Sequence, residues 1–164
     1  ILEFSRVGRI PENTEDLDLK TLVDDMMVMV SFTENIQIVV SGEFPVITGN
    51  RFRISQVFQN LLDNAIKFMD KAEGEIQLSV WDDATQWVFC VTDNGPGIDK
   101  KYHEKIFQIF QTLNRRDALE STGAGLAIVK KIIESYGGKI WIESQVGKGS
   151  QFYFTFPKQY VDDV

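Results

Sequence analysis

Apolar residues recur at three- and four-residue spacing at three places in this chain of 164 residues. Leu19, Leu22, Val23, Met26, Met27 and Val30 predict a helix over residues 19–33. Ile54, Val57, Phe58, Leu61, Leu62, Ala65 and Met69 define one broad apolar face of a longer helix over 51–69. Leu126, Val129, Ile132, Ile133 and Tyr136 predict a third over 126–136, stopped by Gly137 and Gly138. A short helix is expected over 100–110. Between these, runs of strand length cover 36–40, 44–48, 75–81, 86–93, 139–144 and 150–156. Residues 82–85 suit a hairpin loop, and Gly147 and Gly149 suit a second one. Residues 111–123 lack apolar periodicity and read as a mobile loop. At the start, Ile1, Leu2, Phe4 and Val7 suit the end of a helix, with Gly8 as its stop. Residues 11–18 form a polar break with Pro11 and four acids. Adjacent strands in this order favour a mixed, largely antiparallel sheet. Helices over one face of it make a two-layer α/β sandwich.

Composition narrows the function. The chain carries 17 basic and 24 acidic residues, a net charge of −7. That is a poor match to a phosphate backbone and argues against nucleic-acid binding. One cysteine excludes an internal disulfide framework and a cysteine-based zinc cluster, and one histidine excludes a His-rich metal site. No apolar run approaches the roughly 18 residues of a membrane span, and no signal peptide opens the chain. A chain that begins with Ile is expected to be a piece of something longer. Cys90, Trp81, Trp87 and Trp141 read as sheet packing, and Met26, Met27 and Met29 as gap-fillers. Residues 161–164 read as a solvated tail.

Three short elements hold chemistry beyond packing. Asn60, Asn64 and Lys67 lie within about 60° of one another on the long helix, opposite its apolar face. An amide oxygen is a hard ligand suited to Mg²⁺, and a lysine neutralises phosphate. Taken alone, this is also an ordinary solvated helix face. Asp93, Asn94, Gly95, Pro96 and Gly97 follow an apolar strand directly. A carboxylate there can accept a hydrogen bond from an exocyclic amine, and glycines let backbone approach a flat ligand. A plain turn explains the same residues. Gly123, Ala124 and Gly125 open a helix, where bare amides and the macrodipole favour an anion. Glycines also end loops for conformational reasons alone.

Taken together, the segments NLLDNAIKF, DNGPGI, IFQIFQ, GAGLAIVKKI and GSQFYFTFP resemble the catalytic and ATP-binding domain of sensor histidine kinases. They match the N, G1, F and G2 boxes of that family in order and spacing. The resemblance covers residues 17–158, and the stretch from IFQTLNRRD to KKIIE is most similar to phytochrome-like sensor kinases. It implies the Bergerat-type ATP-binding fold of the histidine kinase and ATPase superfamily. Residues 1–16 would be the end of a preceding dimerisation helix and its linker, and 159–164 a C-terminal tail.

The resemblance also implies roles. Asn64 would hold Mg²⁺ on the ATP phosphates, with Asn60 one turn away and Lys67 approaching the phosphates. Asp93 would bond the adenine amino group, with Gly95, Gly97 and Ile98 shaping the base pocket. Phe107 and Phe110 would anchor a lid over 111–123. Gly123, Ala124, Gly125 and Leu126 would hinge that lid and offer amides. Thr155 would support adenine from the last strand, and Arg115 or Arg116 would reach the γ-phosphate or stay solvated.

Two departures stand out. Ala127 takes the place of the last glycine in the usual GxGLG box. The family's phosphoacceptor histidine lies on a separate hairpin before this domain, and His103, in KKYHEK, is a poor candidate for it. The implied activity is donation of the γ-phosphoryl group of ATP to a histidine outside this chain. The implied partners are that hairpin, of the same or a paired subunit, and a response-regulator receiver domain. The full protein is expected to be a homodimer, this piece a monomer without membrane contact, and its location cytoplasmic. Two other readings compete. An ATP-hydrolysing switch of the same superfamily would carry a glutamate where Asn60 stands, and an amide cannot take a proton from water at neutral pH. A non-catalytic interaction domain would keep the pocket only as a vestige.

Overall fold

The computed structural model describes residues 13–30, 35–108 and 125–158. Their elements in chain order are β1 (Glu15–Asp18), α1 (Leu19–Val30), β2 (Ile36–Ser41), β3 (Val46–Gly49), α2 (Arg51–Lys67), β4 (Gly74–Asp83), β5 (Gln86–Asp93), α3 (Gly125–Ser135), β6 (Ile140–Gln145) and β7 (Gly149–Pro157). Five strands form one sheet in the order β2-β4-β5-β7-β6. Among the described residues of this sheet, β2 and β4 run parallel, because α2 crosses over between them, and the other pairs are antiparallel. β1 and β3 pair separately. The expected two-layer α/β architecture with a largely antiparallel sheet is what the chain adopts.

The helices cover the sheet face that carries Ile76, Leu78, Val80, Phe89, Val91, Phe152, Phe154 and Phe156, all buried. Strict alternation along β4 puts its polar partners on the other side. At the centre, the Phe89 and Phe154 rings stack 5.0 Å apart at 7°. Phe58 of α2 meets both edge-on, at 5.5 and 5.4 Å. Such pairs contribute about 0.5–1.5 kcal/mol each beyond the area they bury. The opposite sheet face carries an aromatic stripe. Trp141 stacks on Tyr153 at 5.2 Å, and Trp81 meets Tyr153 edge-on at 6.2 Å. Trp81 and Trp141 remain 44% and 38% exposed, with buried Val88 and Cys90 on the same face of β5.

Most boundaries fall within two residues of the sequence reading. Two elements differ in kind. β1 lies inside the stretch read as a polar break, where Leu17 is its one buried residue among exposed acids. Residues 100–110 do not form one helix. They contain two 3-10 turns, Lys100–Tyr102 and Lys105–Phe107, the first capped by Asp99. This break lets Ile106 bury while Phe107 meets Phe152 edge-on at 6.3 Å. The expectations for residues 1–12, 31–34, 109–124 and 159–164 lie outside the described residues.

Candidate functional site

β5 ends at Asp93, directly opposite Ser150 of β7. The Asp93 carboxylate accepts the Gly95 N–H at 2.9 Å and is half-buried. Burial pushes its pKa above the ordinary carboxylate value. Backbone N–H groups of Gly95 and Ser150 counter this in part, and the negative charge of Asp70 adds to it. The following loop is held from two sides. Asn94 bonds Glu75 and Glu73 at the start of β4 through both its side-chain amide and its backbone. On the far side, Gly147 N–H donates to Pro96 at 2.7 Å, and Ile98 N–H donates to Ser144 Oγ at 2.8 Å. Ser144 Oγ also donates to the Gly149 carbonyl and meets Ser150 Oγ, both at 2.8 Å.

This geometry dictates one glycine and puts a second close against the carboxylate. Gly97 has φ +74°, and a Cβ there would run into the Gln145 carbonyl. A Cβ on Gly95 would press on the Asp93 carboxylate at 2.9 Å, with the Phe68 carbonyl 3.7 Å away. The second contact places the C-terminal end of α2 beside the loop.

On α2, Asn60 and Asn64 are half-buried, at the flank of the apolar face and not opposite it. Asn60 Nδ2 donates to the Gly125 carbonyl at 3.4 Å, so the helix touches the start of α3. The Asn64 side-chain amide makes no hydrogen bond among the described residues. Lys67 is exposed, with its ammonium 5.5 Å from the Phe68 ring centre. Among the described residues nothing lies within 4 Å of where a Cβ on Gly125 would stand. Ile98, Phe107 and Leu126 are half-buried against the core.

The structure therefore brings together Asp93, Gly95, Gly97 and Ile98 in the loop, with the end of α2 beside them and Asn60 against Gly125. It does not bring Thr155 there. Thr155 pairs with Val88, five residues along β7 from Ser150, or about 17 Å at strand rise. It is buried, and its hydroxyl accepts the Lys139 N–H at 3.0 Å. Phe110, Arg115, Arg116, Gly123 and Ala124 lie outside the described residues. Ser144 and Ser150 stand beside Asp93 through strand register, which leaves no local signal in the sequence.

Among the described residues no cluster of three His, Cys, Asp or Glu side chains could hold a metal ion. A hard ion supplied with phosphate oxygens and water needs no such cluster, and one free asparagine oxygen fits it.

Residues 49–160 match the family of histidine kinase-, DNA gyrase B- and HSP90-like ATPases. The chain is 40% identical over 161 residues to the phytochrome-like protein Cph1 of Synechocystis sp., a match covering 96% of this chain and 21% of that protein. It thus spans about a fifth of the length of that relative. Among solved structures, the catalytic domain of histidine kinase ThkA superposes with a TM-score of 0.76 at 33% identity, over 89% of this chain and 96% of that one. ThkA in complex with the response regulator protein TrrA superposes with a TM-score of 0.73 at 32% identity, over 89% of this chain and 42% of that one.

Proposed function

Because this chain belongs to the family of histidine kinase-, DNA gyrase B- and HSP90-like ATPases, as the ATP-binding catalytic domain of a sensor histidine kinase, we propose that the Asp93 loop holds the adenine of ATP. The observation that carries this is a half-buried carboxylate fixed at a strand end. An ionised carboxylate only accepts hydrogen bonds, so it suits the amino group of adenine and repels the keto oxygen of guanine. Gly95 leaves the space beside the Asp93 carboxylate open, Gly97 lets the loop turn against the Gln145 backbone, and Ile98 and Phe107 offer apolar contact.

The phosphates then extend toward α2 and α3. Asn64 offers its amide oxygen to Mg²⁺, which when bound neutralises charge on the phosphates. Asn60 stands one turn away, Lys67 supplies a cation, and Gly123, Ala124, Gly125 and Leu126 offer backbone amides. Arg115 or Arg116 contacts the γ-phosphate, and Phe110 anchors the lid together with Phe107. The chain positions the γ-phosphoryl group for a histidine outside it, work that needs orientation and charge neutralisation more than covalent chemistry. Asn60 cannot act as a base toward water, which favours transfer over hydrolysis. The whole protein is a dimer that passes the phosphoryl group to a response regulator, and this domain works in the cytoplasm, where ATP is available.

Calorimetric titration with Mg·ADP and a non-hydrolysable ATP analogue tests this reading. Wild type should bind both, and Asp93→Asn should bind about tenfold to a hundredfold more weakly. Absence of binding to either nucleotide would sink the proposal.

A further inference from the structure

Both backbone groups of Ile98 are held by side chains from separate elements. Its N–H goes to Ser144 Oγ of β6. Its carbonyl lies 2.9 Å from Nε2 of His103. A carbonyl can only accept, so Nε2 of His103 must carry the proton. The histidine is half-buried and follows the Lys100–Tyr102 turn, its own N–H donating to the Lys100 carbonyl at 3.2 Å. Its neighbours anchor that segment to the core, Tyr102 and Phe107 partly and Ile106 fully buried. His103 is thus a bridge from an anchored segment back to the pocket loop. Without it the Ile98 carbonyl would lose its partner at the point where the loop leaves the pocket.

We propose that His103 is a positioning residue for nucleotide binding: its Nε2–H fixes the Ile98 carbonyl, and with Ser144 it sets the Ile98 side chain as one wall of the base pocket. This rests on the nucleotide reading above. The role needs no phosphorylation of the ring and no change in its charge, since the neutral Nε2–H form and the imidazolium both donate.

The test uses the whole chain and three proteins: wild type, His103→Phe, which keeps a ring without the donor, and His103→Gln, which keeps an N–H donor. Mg·ADP affinity and the melting temperature without nucleotide are measured for each. His103→Phe should bind about five- to thirtyfold more weakly, and His103→Gln should recover most of that loss. The nucleotide-free melting temperatures should stay close together. This chain has a single histidine, so the long-range ¹H–¹⁵N imidazole spectrum of wild type is unambiguous and should show a protonated Nε2. That spectrum tests the bond even where a variant fails to fold. Unchanged affinity in His103→Phe, equal losses in both variants, or a neutral ring protonated on Nδ1 would each overturn the assignment and leave the nucleotide site standing. A wild type that binds no nucleotide would overturn both.

Discussion

Strand β5 contains two kinds of structural specification within five residues. At Phe89 the structure is set by apolar contact, with Phe154 stacked against it and Phe58 edge-on. At Asp93 it is set by individual hydrogen bonds and by Gly97, which no other residue replaces without strain. Apolar packing is non-directional, so many volume-conserving residues satisfy it. Hydrogen bonds are directional and finite in number, so each one in the loop has a specific partner. The first region supplies stability and a rigid frame; the second, braced on that frame, can present polar groups to a ligand. Substitutions in the two regions should therefore fail in different ways.

The largest expected effect lies in the frame. Phe154→Ala removes a fully buried ring and should cost about 3–5 kcal/mol in urea unfolding, enough to threaten the fold. A cost below about 1 kcal/mol would mean that the aromatic centre is not what holds the sheet to α2. Next comes Gly97→Ala. Its φ of +74° and the collision with the Gln145 carbonyl should reshape the loop, lowering stability by about 1–2 kcal/mol and nucleotide affinity at least about tenfold.

Asp93→Asn sharpens the contrast further, because function and stability should separate. Burial raises the Asp93 pKa, so the folded state binds that proton more tightly than the unfolded chain does. The contribution of this group to stability is therefore fully present below the carboxylate's unfolded-chain pKa, is lost as pH rises from there through the raised folded pKa, and is constant above it. Nucleotide binding should run the other way, since the ionised carboxylate is the stronger acceptor for the amine's hydrogen bond. Affinity should fall as the solution is acidified through the raised range of this carboxyl, and that part of the pH dependence should be absent from the asparagine variant. At neutral pH the variant's melting temperature without nucleotide should hold or rise, because a partly desolvated charge has been removed. A melting temperature that fell along with affinity would assign Asp93 to the frame.

The smallest effect is expected on the open face. Trp141→Ala removes a ring that is 38% exposed and should cost about 1 kcal/mol or less, without changing nucleotide affinity. Tyr153, beneath it, should resist ionisation. Burial, followed by the charges of Cys90 and Glu143, pushes its pKa up to about 12, which an absorbance titration can read.

The fold was legible wherever several apolar residues repeat in one period. α2 and α3 show this, and β5 was read residue for residue as 86–93. β1 escaped because a single buried Leu17 sets no period, and its partner β3 lies some thirty residues on. The broken segment at 100–107 escaped because the spacing of Tyr102, Ile106 and Phe107 also suits a helix. In the site, Asp93 and its glycines were legible because their chemistry is local in sequence. Thr155 was misplaced because only the β5–β7 register puts Ser150, five residues earlier, opposite Asp93. Ser144 and His103 act by holding the backbone of Ile98, and a side chain bonded to distant backbone leaves no pattern along the chain.

The most direct measurement is a ¹H–¹⁵N NMR titration of the isotopically labelled chain with Mg·ADP. Shifts are expected at the Gly95 and Ile98 amides and at the Asn64 side-chain amide. The indole signals of Trp81 and Trp141, on the opposite sheet face, should stay where they are. Shifts confined to those indoles, or no shifts at saturating nucleotide, would contradict the proposed nucleotide site.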